Sequence, residues 1–131
     1  MKDYNVTAHW KLSEFRCRGG MWCCGGTAAI NKERLVPTLE IIRRRFDSVL
    51  YCVQDKMANA GSGFRCLRWN EKIDGHVNSD HTRGDAADIF DPKGDYPRLG
   101  EIIAQVASEF NDVYFLVYPL KHFYHVGIRK V

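Results

Sequence analysis

Residues 113–128 read VYFLVYPLKHFYHVGI, and the architecture turns on them. Val113 to Tyr118 and Phe123 to Ile128 are rich in β-branched and aromatic side chains, which suit a pleated, half-buried surface. Pro119, Leu120, Lys121 and His122 separate the two runs, a spacing close to that of a hairpin. Upstream the period changes. Leu99, Ile102, Ile103, Val106 and Phe110 recur at three- and four-residue steps and predict a helix from about Pro97 to Phe110 with one inward stripe. Leu35, Leu39, Ile42 and Phe46 do the same for a helix opened by Asn31, in which Pro37 either starts a new first turn or kinks the axis. Ser13 with Glu14 opens a short helical turn, Leu67 to Ile73 reads as a short helix, and Val49–Val53 and Asp85–Phe90 read as further strands. Helices placed ahead of a closing hairpin predict an α+β fold, a small antiparallel sheet with helices packed on it.

The remaining sequence bounds what such a fold can be for. At 131 residues, 45% hydrophobic and 27% charged, the chain has the composition of one packed domain, 1–131, and not that of a disordered segment. That length buries enough surface for folding to need neither disulfides nor a structural metal. A net charge of +3 is too mild to imply nucleic acid, and Arg43, Arg44 and Arg45 read as the solvated face of their helix. No stretch is apolar for long enough to suggest a membrane span, and Met1 to Thr27 lacks a secretory leader. Cytoplasmic synthesis is therefore expected, with any action on a cell wall following release. A monomer is expected. Cysteine usage is uneven: of five, Cys17, Cys23 and Cys24 crowd FRCRGGMWCCGG, residues 15–26. Vicinal cysteines do not easily face one ion and paired CxxC knuckles are missing, so buried thiols or a redox-sensitive pair are expected there ahead of a structural metal.

The densest polar segment is residues 62–91, SGFRCLRWNEKIDGHVNSDHTRGDAADIFD. His81 and Asp88 are seven apart, but Gly84 breaks any helix between them, so Asp88 belongs to a strand and His81 to the loop before it. Ala86 shares the strand face of Asp88, and Gly127 shares that of His125; each leaves an empty position beside a functional group. Two histidines and one carboxylate with space beside them suit a tetrahedral ion that keeps its fourth place for water.

These residues carry a resemblance. SGFRC at 62–66, Asn70, NSDHTRGDAADI at 78–89 and FYHVGIR at 123–129 resemble the zinc D-alanyl-D-alanine carboxypeptidases, the fifteenth family of metallopeptidases, with their SGYR, SxHxxGxAxD and closing xxH signatures. Ser79, His81, Gly84, Ala86 and Asp88 fit the ten-position core motif without a gap. LSEFRC at 12–17 and VYP at 117–119 are similar to the small phage-borne members, cell-wall endolysins among them. The resemblance implies a fold shared with the hedgehog signalling domain and one Zn²⁺ held by His81, Asp88 and His125. It also implies a peptidoglycan stem peptide as substrate, cleaved as a D,D- or L,D-carboxypeptidase or an L-Ala-D-Glu-type endopeptidase. Arg65 matches the arginine that receives a substrate carboxylate, for which its planar fork is suited. Ser79 matches a serine that contacts substrate or braces the loop.

Two positions depart from the family pattern. His122 stands where catalytic relatives carry an acidic general base, three residues before the last histidine. A neutral imidazole there can accept a proton from a metal-bound water and return it to the leaving amine, although a nearby dication weakens it as an acceptor. Gly127 stands where many small relatives carry Asp, a change expected to affect strand support more than chemistry. The other function this leaves is a zinc-binding module of the same fold with little or no catalysis. A non-haem iron oxygenase also uses two histidines and a carboxylate, but the seven-residue gap and plentiful helices set it aside.

Overall fold

The structure is a computed structural model and describes residues 3–52, 63–76, 78–118 and 122–130. Val53, Ser62 and the hairpin residues Pro119, Leu120 and Lys121 lie outside the described residues. The chain forms helices α1 (Leu35–Phe46), α2 (Leu67–Lys72) and α3 (Tyr96–Glu109) and strands β1 (Tyr51–Cys52), β2 (Ala86–Phe90), β3 (Val113–Tyr118) and β4 (Phe123–Ile128). The strands make one sheet in the order β1-β2-β4-β3, with every neighbouring pair antiparallel. The α+β expectation is met, and β3 and β4 have the bounds of the two β-rich runs.

Where the elements differ from expectation, the cause is local. Asn31 does not cap α1. Its Oδ1 accepts from the N–H groups of Glu33 and Arg34 at 3.1 and 3.0 Å, which closes a separate turn, and the helix starts at Leu35. Pro37 is then the third helical residue, in the first turn, where backbone N–H groups have no intrahelical acceptor to lose. Tyr96 and Pro97 open α3, with Asp95 Oδ1 accepting from Arg98 N at 3.4 Å. Among the described residues of the strand expected over Val49–Val53, Tyr51 and Cys52 pair with β2, and Leu50 before them is buried in the core.

Leu39, Ile42 and Phe46 of α1 and Leu99, Ile103 and Val106 of α3 are fully buried against one face of the sheet. Burial of one such side chain contributes about 1.5–3 kcal/mol, so this helix–sheet layer holds the fold together. Arg34 joins Asp112 through two bonds of 2.5 and 2.6 Å, tying the start of α1 to the approach to β3. On the outer side of α1, Arg44 pairs with Glu40 and Arg45 with Glu109. Among the described residues no helix is long and apolar enough to cross a membrane.

Strand alternation separates the two faces of the sheet. Ala87 and Ile89 of β2 and Tyr124, Val126 and Ile128 of β4 enter the core with the helices. Ala86 and Asp88, Phe123, His125 and Gly127, and Tyr114 of β3 therefore share the opposite face.

Candidate metal centre

Register places two functional side chains together. Asp88 of β2 lies directly opposite His125 of β4, and His125 Nδ1 is 2.9 Å from Asp88 Oδ1. The third comes from a 3-10 turn, Asp80–Arg83, which Ser79 opens and Gly84 closes with φ 74°. Ser79 Oγ accepts from His81 N at 3.3 Å, and the turn holds His81 Nε2 3.5 Å from Asp88 Oδ1. The two imidazole rings meet edge to face, with centroids 4.9 Å apart. One donor atom from each of His81, Asp88 and His125 lies within 4.8 Å of the others, and all three residues are buried.

The hydrogen bonds on the far sides of both rings decide what faces inward. His81 Nδ1 is 2.7 Å from the carbonyl oxygen of Gly63, which only accepts, so that nitrogen carries the proton and Nε2 keeps its lone pair. His125 Nε2 is 3.0 Å from the hydroxyl of Tyr114, whose own proton goes to Asp80 Oδ2 in a short bond. His125 Nε2 thus donates and Nδ1 keeps its lone pair. Two nitrogen lone pairs and a carboxylate oxygen converge with no donor left between them. Such a set is favourable only around a cation or shared protons. Nitrogen and oxygen donors at tetrahedral spacing fit Zn²⁺, and the bonds to Gly63 and Tyr114 are the outer contacts that orient metal-binding imidazoles. Burial by itself raises the Asp88 carboxyl, but the adjacent imidazoles of His81 and His125 outweigh it and hold the group at about 2 when shared protons rather than a cation occupy the centre.

Tyr114 was not among the residues that the sequence pattern singles out. It is the cross-strand partner of Gly127, and a Cβ on Gly127 would stand 2.5 and 2.6 Å from two ring carbons and 2.7 Å from the hydroxyl oxygen of Tyr114. The position beside His125 that reads as empty space for an ion is filled by this phenol. Gly127 is there to let the ring lie across β4. The only advance signal is the hairpin register, which sets Tyr114 diagonally across from His125. Asp80, tied to both Tyr114 and Arg83, completes a chain running from His125 to an arginine.

Arg65 and Ser79 lie beside the centre and bond to each other. Arg65 Nη2 donates to Ser79 Oγ at 2.8 Å, and the backbone N–H of Arg65 donates to His81 O at 3.0 Å. Arg65 is 9% exposed, yet among the described residues it has no ion-pair partner, and its buried Nε has no hydrogen-bond acceptor. Burial lowers its pKa, against the charge of Asp88, which raises it.

His122 is apart from this group. Its backbone is left-handed, with φ 56°, and its exposed ring stands edge-on to Tyr96 at 5.8 Å. Tyr96 stacks on Tyr124, whose side chain leaves β4 on the core face, opposite to that of His125.

A helix-backed antiparallel sheet that gathers a His–Asp–His donor set on its other face is the arrangement of a metallopeptidase. The chain belongs to the Peptidase M15 family, whose model matches residues 8–127. Metallopeptidases of this family are zinc-dependent and act on peptidoglycan-type substrates. No curated protein and no solved structure matches the chain.

Proposed function

We propose that the protein is a zinc-dependent hydrolase of peptidoglycan stem peptides, of the kind found in small phage-type endolysins. The observation that carries this reading is the convergence of His81 Nε2, His125 Nδ1 and Asp88 Oδ1, with the outer nitrogen of each ring already committed as a donor. Zinc held there supplies a Lewis acid for the scissile carbonyl and a water ionisable near neutral pH. Asp88 is the one anion of the set, so the bound dication keeps net positive charge. Arg65 receives a carboxylate of the substrate: it is buried, it has no ion-pair partner among the described residues, and Ser79 holds its fork in place. That preference favours a carboxypeptidase cutting next to a free terminus over an endopeptidase cutting within the stem.

His122 takes the role of proton acceptor, which requires its ring to leave Tyr96 when substrate binds. His122→Ala is expected to lower turnover by about 100-fold, the usual worth of a positioned base, with zinc content unchanged. An unchanged rate assigns the base elsewhere. The function itself is tested by incubating the zinc-loaded protein with purified peptidoglycan and identifying released fragments by mass. Terminal D-amino acid release that is absent in His81→Ala supports the reading.

One observation favours a second reading, a zinc-bearing wall-binding or structural module without turnover: the imidazole in the base position faces Tyr96. Stoichiometric zinc with no fragment released over a broad pH range selects that module.

A further inference from the structure

A second group of metal-binding side chains lies outside the histidine centre. Cys17, Cys23, Cys24 and Cys66 each offer a sulfur, and the four sulfurs lie within 4.8 Å of one another. Cys17 Sγ is 3.7 Å from Cys23 Sγ and 3.8 Å from Cys66 Sγ. A zinc–thiolate bond of about 2.3 Å gives a tetrahedral S···S edge of about 3.8 Å, whereas a disulfide needs about 2.0 Å.

The backbone explains how vicinal cysteines reach one point, which the sequence pattern alone argues against. Cys23 closes the 3-10 turn Gly20–Trp22, its N–H donating to Gly20 O at 3.1 Å. Gly25 and Gly26 then follow with φ 78° and 82° and turn the chain back, and Cys17 N donates to Thr27 O at 2.7 Å to shut the loop. Gly19 lets the loop come close: a Cβ there would stand 2.5 Å from Cys23 Sγ and 2.9 Å from the ring of Trp69. Cys66 arrives from 49 residues away, and its sulfur accepts from Trp69 N at 3.4 Å, a bond that stabilises a thiolate.

The tip of this loop faces solvent. Met21 is 92% exposed and Trp22 46%. Trp22 touches Trp69 edge-on at 6.0 Å, and Arg68 and Lys72 lie over its outer ring at 4.5 and 5.9 Å.

We infer that Cys17, Cys23, Cys24 and Cys66 bind a second, structural Zn²⁺ that staples the 17–26 loop to the segment carrying Gly63 and Arg65. Four sulfurs within 4.8 Å of one another, with Cys17 at tetrahedral edge length from both Cys23 and Cys66, select zinc among common divalent ions, with iron as the closest competitor. The staple lies one residue from Arg65 and three from the carbonyl that orients His81, so it fixes a strip of backbone on which the histidine centre depends. The inference goes beyond the peptidase reading and does not need it, since the thiolate site is distinguishable from the histidine site by its spectrum.

The test uses the full chain, purified under reducing conditions without chelators. Metal analysis is expected to give two zinc ions per chain, or one if the histidine centre does not bind. Replacement of zinc by Co²⁺ is expected to give an intense thiolate-to-cobalt charge-transfer absorption in the near ultraviolet, with the visible bands of a tetrahedral ion. Histidine and carboxylate ligands do not produce that absorption. A thiol-specific mercurial should release one zinc equivalent. Cys66→Ser should weaken the charge-transfer band, and Cys52→Ser should keep it at full intensity, because Cys52 lies in the hydrophobic core and not in the cluster. Should Cys66→Ser fail to fold, the wild-type cobalt spectrum and mercurial titration still carry the test. The inference is overturned if the cobalt protein has no thiolate band, if iron replaces zinc at stoichiometry, or if the freshly purified chain has lost the mass of two hydrogens to a disulfide within the four.

Discussion

Asp88 and His125 are direct cross-strand partners, with Asp88 Oδ1 2.9 Å from His125 Nδ1, so the sheet register itself sets two corners of the candidate metal centre. Asp88→Asn keeps the shape and removes the charge. Zinc affinity is expected to fall by more than the about 10- to 100-fold that loss of an outer hydrogen-bond partner costs. Competition against a chromophoric chelator measures it, and an unchanged affinity would place the ion elsewhere.

The phenol of Tyr114 fixes His125 from behind at 3.0 Å. Tyr114→Phe leaves the ring and removes that hold, so zinc affinity should drop about 10- to 100-fold while the fold persists. Gly127→Ala should reproduce the loss by pushing the ring away, and should also destabilise by about 1–3 kcal/mol through overpacking. Normal zinc binding in both variants, measured beside thermal melts, would remove Tyr114 from the centre.

Acid should weaken the metal-free protein in a defined window. The folded Asp88 carboxyl is held at about 2, below its ordinary 3.8, chiefly because the charge of His81 overcomes the cost of burial. A depressed acid stabilises the fold above its unfolded value, and that contribution is lost as pH falls through the folded value. Wild type should lose about 2 kcal/mol between roughly pH 4 and pH 2 that Asp88→Asn never has. Urea melts of chelator-treated protein across that range provide the comparison; parallel curves for the two proteins would contradict it.

Arg65→Ala should weaken KM for stem peptides with a free terminal carboxylate by about 10-fold or more, the scale of a charge-assisted pair of hydrogen bonds. Amidated peptides should be little affected, and metal content should hold. Equal losses on both substrates would assign Arg65 to support of Ser79 alone.

Much of this could be read before any coordinates. The edges of β3 and β4 follow from their β-rich runs, and the grouping of His81, Asp88 and His125 follows from the family resemblance, with Gly84 telling only that His81 and Asp88 do not share a helix. What escaped depends on contacts distant in the chain or on single dihedral angles. Tyr114 reaches His125 only through hairpin register. Cys66 joins Cys17 across 49 residues, and two left-handed glycines undo the argument against vicinal cysteines. His122 sits one residue before β4 with a left-handed φ of 56°, against Tyr96 on the Tyr124 side and not the His125 side, as the odd–even alternation of β4 would place it. Pro37 is compatible with a helix once the first turn begins two residues before it.

Strand β4 follows every other strand in the chain yet lies between β2 and β3. During synthesis, β2 emerges with one side unpaired, and β3 has no neighbour to lie against until the closing strand slots in. His125 travels on that strand. A nascent chain on the ribosome therefore has half a coordination sphere, and ion capture waits for the same event that completes the sheet. On the proposed zinc reading, the ion can be held only after that strand has docked, so a filled site would report a finished sheet.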